Sequence, residues 1–235
     1  SFCVPVLNCH SCPLAILACP IGIIGQFSAL HLFPFFIGGL LLLFGTAVGR
    51  MFCGWCCPFG LFQDLLYKIP FPKIHIPKHG EKLKYLILFG LVIIVPFFWG
   101  TTTPLFFCRL CPPATLQSAI PWIIINGKLP DITSTLIRFT VFLIVTLLLI
   151  ANERAFCRVL CPLGALMGIS DKFSLAFIRQ DNKYCNNCKK CEDVCPMGVS
   201  MNSVAKGNRS AECILCLQCA QKCSASRKIK IGNLN

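Results

Sequence analysis

Charge is what this sequence has least of, and acidic charge above all. Of its 235 residues 13% are charged and 55% hydrophobic, and Asp and Glu together number nine. That excludes an ordinary soluble domain, in which about a quarter of residues are charged. Histidine is scarce too: His10, His31, His75 and His79 are the full set. His31 alone borders an apolar stretch, with no second His at helical spacing beside it, which argues against a b-type haem. His10 lies inside a cysteine motif that it would tune, whereas His75 and His79 fall in a proline-rich connector. No nucleic-acid recognition motif accompanies the net charge of +13. A positive cytoplasmic face on a membrane protein explains it more simply. Finally, no charged n-region or cleavage site opens the chain, which starts at Ser1 rather than Met; an N-terminal piece is expected to be missing.

Apolar residues concentrate before residue 180. Three stretches, Leu32–Val48, Tyr85–Gly100 and Leu136–Ala151, have the length and composition of short membrane spans, with Pro96 expected to kink the second. Leu14–Leu30 is interrupted by Pro20, Gly22 and Gly25, and Thr115–Ile125 by Pro121, so both read as re-entrant half-helices. A complete fourth span over Leu14–Leu30 is the alternative. Lys and Arg fix the orientation: six lie in Gly49–Lys84 and thirteen after Ala151, but none in residues 1–31. The positive-inside rule then puts the N-terminus outside and the C-terminal part in the cytoplasm of a bacterial or archaeal cell. Phe59–Ile69 and Leu163–Phe177 read as interfacial helices, and Lys68–Lys78 as an extended connector.

The cysteines organise the rest. The C-terminal part reads Cys185-x2-Cys188-x2-Cys191-x3-Cys195-Pro196, then Cys213-x2-Cys216-x2-Cys219-x3-Cys223. This is the run that holds two [4Fe–4S] clusters in bacterial ferredoxins, the fourth Cys of each run serving the other cube. The expected ligand sets are Cys185, Cys188, Cys191 and Cys223, and Cys213, Cys216, Cys219 and Cys195. Zinc is the competing reading, but its sites use paired knuckles. Ser224 after Cys223, in place of proline, alters a turn and not the ligation.

An internal repeat pairs most of the other cysteines. Arg50-Met-Phe-Cys53-x3-Cys57-Pro58-Phe-Gly60 matches Arg154-Ala-Phe-Cys157-x3-Cys161-Pro162-Leu-Gly164, and Cys9-x2-Cys12-Pro13 matches Cys108-x2-Cys111-Pro112. Repeats over about 9–75 and 108–178 thus form a membrane domain, 1–180, ahead of a ferredoxin-like domain, 181–235. Each side of the membrane receives two cysteines from each repeat. The expectation is an inner cluster on Cys53, Cys57, Cys157 and Cys161 and an outer one on Cys9, Cys12, Cys108 and Cys111. Disulfides remain open for the outer four, and redox or unmetallated thiols for the inner four. Cys56 is a substitute for Cys57 that the repeat disfavours, and Cys3 and Cys19, without repeat partners, read as packing residues. Arg50, Arg154, Arg158 and Arg109 would offset cluster charge, unless they snorkel to headgroups.

With its spans, Cys-x3-Cys-Pro motifs and two-cluster C-terminal domain, the chain resembles the membrane-bound ferredoxin-type subunits of periplasmic nitrate reductase systems. It is similar as well to the membrane part of nitrous-oxide reductase maturation and electron-donor proteins. The resemblance covers about 32–223 and implies electron transfer between the quinone pool or a cytoplasmic carrier and a periplasmic partner. The fold class expected is an α-helical membrane protein with a C-terminal 2[4Fe–4S] ferredoxin domain, acting beside other membrane and redox subunits. Its function would be that of an electron conduit without a substrate site of its own. Two alternatives stay open: a quinone-reactive subunit, and a redox-driven assembly factor whose outer thiols bind a metal such as Cu(I).

Overall fold

The computed structural model of the chain describes residues 2–3, 9, 17–72, 80, 82–127, 132–171, 173–180, 188–200, 210–222 and 229–232. Cys12, Cys185 and Cys223, with His10, His75 and His79, lie outside the described residues. Among the described residues the longer helices of the membrane-like part are α1 (Pro20–Ala29), α2 (Phe35–Ala47), α3 (Pro58–Leu66), α4 (Leu83–Trp99), α5 (112–126), α6 (Ile132–Ala151) and α7 (Pro162–Asp171). Only α6 is long and apolar enough to cross a membrane among the described residues, while α2 and α4 are shorter apolar helices. At 1.5 Å per residue α1 is about 15 Å long, half of a bilayer core. This helix occupies the later part of Leu14–Leu30, and the strand residues Leu17–Ala18 precede it.

The expected interruptions at proline are absorbed rather than broken. Pro96 and Pro121 lie inside continuous helix, each two residues after a π-turn segment, Leu88–Ile94 and Thr115–Ala119. A third such segment, Phe156–Leu160, ends two residues before Pro162. In all three the residue just ahead of the proline donates its N–H five residues back: Val95 to Gly90, Ile120 to Thr115, Cys161 to Phe156. One extra residue in the turn moves aside the carbonyl that the pyrrolidine ring would strike. Thr115–Ile125 is thus not broken at Pro121, contrary to the sequence reading.

One apolar core runs through this part. It includes Ile21, Phe59, Leu88, Val92, Leu149, Phe156 and Leu163, together with Cys9, Cys19, Cys57, Cys111 and Cys161. On α6 the pair Val145 and Leu149, one turn apart, faces inward, while Leu136, Leu143 and Leu147 are exposed. Helices α2 and α7 approach closely at small residues. Gly49, just past α2, has φ +61, and a Cβ there would lie 2.1 Å from a carboxylate oxygen of Asp171. A side chain at 49 is excluded on both counts.

A second, smaller core gathers Ile178, Met197, Val199, Ile214, Leu215 and Cys219. Its edge is an antiparallel pair, β3 (Phe177–Gln180) with β4 (Ile229–Gly232), joining the two ends of the C-terminal segment; β1 (Phe2–Cys3) and β2 (Leu17–Ala18) form a parallel pair near the start. Cys53 packs against this second core, so the two parts meet at the first inner motif.

Candidate metal centres

Four helices begin in the same way. Cys19, Cys57, Cys111 and Cys161 each hold an extended backbone (ψ 125, 114, 122 and 110°) and are followed by the proline that opens α1, α3, α5 and α7. Proline suits the first helical position, because its φ is already helical and the N–H it lacks would have no partner there. The cap cysteine is then left beside the free N–H groups of the first turn. Gly164 N–H donates to Cys161 Sγ at 3.3 Å, and the N–H groups of Ala114 and Ile21 face Cys111 and Cys19. Such caps are what anionic sulfur requires.

The structure brings the inner cysteines together. Each of Cys53, Cys57, Cys157 and Cys161 lies near enough to the other three to interact with them electrostatically. Cys57 is buried and Cys56 exposed, the arrangement the repeat favours. Gln63, fully buried on α3, donates its Nε2 to Cys157 Sγ at 3.0 Å.

Two arginines cross between the halves. Around Gly60 a Cβ would meet the Cys53 carbonyl at 3.2 Å, Cys57 Cβ at 3.5 Å and Arg154 Nη2 at 4.0 Å. Around Gly164 it would meet Arg50 Nη2 at 3.0 Å, the Cys157 carbonyl at 3.2 Å and Cys161 Cβ at 3.7 Å. The same three neighbours recur, with each arginine supplied by the other half. Arg154 forks onto Asp64 (2.8 and 2.6 Å) and donates to the Cys53 carbonyl at 3.2 Å. Arg50 is fully buried, donating to the Ala211 carbonyl at 2.7 Å and to Glu212 at 2.9 Å. Burial pushes both guanidiniums down, but the carboxylates of Asp64 and Glu212 more than reverse this, so both stay charged. Neither arginine snorkels to a surface.

Arg50 also tests what the site would hold. Its Nε and Nη2 are buried without a hydrogen-bond partner among the described residues, beside Cys53, Cys161 and Gly164. Leaving charged donors unmatched is costly, and cluster sulfur would accept from them. Four thiols with buried cations aimed between them fit an iron–sulfur cube.

The described outer cysteines converge too. Cys9, Cys108 and Cys111 gather with Cys19, every pair of the four lying within electrostatic reach; Cys12 lies outside the described residues. Gln117 accepts from the Cys9 N–H at 2.8 Å. A cavity of about 300 Å³ opens beside them, lined by Cys9, Cys108, Arg109 and Arg138 among others. Arg138, inside α6, donates from Nε to the Arg109 carbonyl at 3.1 Å. A sequence reading that counted cations between spans passed it over. Cys19 also interacts with Cys57, so the outer set lies within electrostatic reach of the inner one.

In the C-terminal part Cys195 joins Cys213, Cys216 and Cys219, again with all pairs in electrostatic contact, as the interleaved ferredoxin assignment expects. Left-handed backbone at Lys189, Leu215 and Leu217 curls the loops around the thiols. Val199 N–H donates to Cys195 Sγ at 3.4 Å. Burial pushes the Cys213 thiol up to about 11 and Cys219 to about 12, so without metal they are neutral thiols and metal binding must release their protons. Of the other set, Cys188 is exposed and Cys191 half-buried. Among the described residues no three His, Cys, Asp or Glu side chains converge on a single-ion site.

This part docks on the inner motifs through residues 211–215. Arg50 and Lys84, both fully buried, share Glu212. Trp55 Nε1 donates to the Leu215 carbonyl at 3.1 Å, and a Cβ on Gly54 would stand 2.5 Å from the Ile214 carbonyl. Arg154 interacts with Cys157 and with Cys216, lying between the inner set and the Cys195 set.

Comparison with known proteins agrees with these donor sets. Residues 29–78 and 133–179 match the 4Fe-4S binding domain family, and 177–224 match the 4Fe-4S dicluster domain family. The doubled match falls on the halves carrying Cys53–Cys57 and Cys157–Cys161. An uncharacterized protein of Methanocaldococcus jannaschii is 29% identical over 78% of this chain and 73% of its own length. The putative electron transport protein YccM of Escherichia coli is 28% identical over 85% of this chain, and the ferredoxin-type protein NapH of Haemophilus influenzae 28% over 79%. This chain spans 56% and 63% of those two proteins. No solved structure matches. The chain thus carries 4Fe-4S binding domains and is similar to ferredoxin-type electron-transfer proteins, as its cysteine motifs imply.

Proposed function

We propose that this carrier of 4Fe-4S domains is a membrane electron conduit, moving electrons between a cytoplasmic-side partner and a membrane or periplasmic one. The reading rests on one observation: successive thiol sets lie within electrostatic reach of one another. Arg154 interacts with Cys216 of the Cys195 set and with Cys157 of the inner set, and Cys19 interacts with Cys57. A bilayer core about 30 Å thick is too wide for one efficient transfer if centres keep to its surfaces. Here the outer set draws inward. Arg138, beside Cys9, is 13 residues from the end of α6, about 20 Å along its axis. An iron–sulfur cube supplies a one-electron centre at each set. The protein's own residues hold the thiols, donate N–H groups to sulfur and offset charge with arginine. The exposed Cys188 offers its set to a soluble carrier, while exposed leucines along α6 meet lipid or another membrane subunit. Protein purified without oxygen is expected to contain about sixteen iron and sixteen acid-labile sulfide per chain. About eight of each would leave no path beyond the ferredoxin-like part and would overturn the reading.

A second reading, quinone reaction, is favoured by an apolar cavity of about 580 Å³ between α1, α2, α4 and α7. His31 and Ser28 are polar groups at its wall, with the His31 ring edge-on to Phe97 at 4.4 Å. On this reading solvent extraction yields about one quinone per chain and His31→Ala abolishes retention; quinone-free protein excludes it.

A further inference from the structure

The structure assigns Cys19, not Cys12, as the fourth thiol of the outer centre; this deepens the conduit reading and rests on it. Three observations converge on Cys19. First, its backbone and the proline after it repeat the cap of Cys57, Cys111 and Cys161, all three of them members of the expected centres. Second, it is buried in the same core as Cys9 and Cys111 and interacts with each of Cys9, Cys108 and Cys111. Those three already interact with one another, so Cys19 completes a four-thiol set of the same kind as the inner set and the Cys195 set. Third, the surroundings suit a centre with net negative charge. Arg109 and Arg138 line the cavity beside Cys9 and Cys108, and the Ile21 N–H at the start of α1 faces Cys19. A half-buried arginine inside an apolar helix is favoured by an anionic partner.

The assignment also decides what joins the two membrane centres. Cys19 interacts with Cys57 of the inner set. The thiol that completes one centre is therefore within electrostatic reach of the next.

The test compares Cys19→Ser with Cys12→Ala in the full chain, purified without oxygen, by iron and sulfide content and by electron paramagnetic resonance. Cys19→Ser is expected to lose about four irons of sixteen, or to show a three-iron signal on mild oxidation. Cys12→Ala is expected to keep all of them with unchanged spectra. Loss of about four irons from Cys12→Ala with full content in Cys19→Ser overturns the assignment but spares the conduit. Wild-type protein with about eight irons overturns both. Should Cys19→Ser not accumulate, Cys12→Ala decides alone: full content supports Cys19, and loss rejects it.

Discussion

Cys57→Ser should remove about four irons per chain, and Cys56→Ser none. The two side chains are adjacent in sequence and differ in everything else. Cys57 is buried as the cap of α3 among Cys53, Cys157 and Cys161, whereas Cys56 points outward. With the inner centre gone, the ferredoxin-like part is expected to be reduced by dithionite as before. Electrons should then fail to reach the outer centre on the catalytic timescale. Freeze-quench spectroscopy of both variants resolves this. Equal iron content in the two would mean that the inner thiols hold no cluster.

Glu212→Gln is the second large effect. This one carboxylate faces two fully buried cations, Arg50 and Lys84, and is itself only 13% exposed. An amide of the same shape leaves both charges uncompensated, a loss on the order of 3–5 kcal/mol for breaking a buried pair. That corresponds to roughly a hundred- to several-thousand-fold in the docking equilibrium. Amide exchange over residues 210–216 should accelerate accordingly, while exchange in α6 stays unchanged. If exchange at 210–216 does not move, Glu212 does not hold the two parts together.

Much of this was legible in the sequence because local chemistry fixed it. The apolar stretches Leu32–Val48, Tyr85–Gly100 and Leu136–Ala151 became helices Phe35–Ala47, Leu83–Trp99 and Ile132–Ala151, the third sharing its last residue with the stretch and the other ends shifted by a few residues. The inner cysteines were found because two identical spacings announced them. Cys19 escaped for the same reason: spacing searches look for a second cysteine nearby, and Cys19-Pro20 has none at a repeated distance. The dipeptide itself was the available signal, a cysteine before a proline before a helix. Pro121 misled because a proline's missing donor reads as a break, whereas one wider turn accommodates it. Glu212 and Asp64 gave no local signal at all. Their partners lie 162 and 90 residues away, and only the folded chain makes them neighbours.

The crossing of Arg50 and Arg154 between the two halves has a consequence for biogenesis. On the conduit reading neither half can build the inner centre alone, since each brings two thiols and needs the other half's arginine. During synthesis Cys57 emerges 104 residues ahead of Cys161, a wait of about 5–20 s at ordinary elongation rates. On that reading the early thiols wait without their partners throughout that interval, open to oxidation or to the wrong metal. Iron delivery would then have to be timed to the end of translation, and oxygen in that short window would do its damage before the fold exists to resist it.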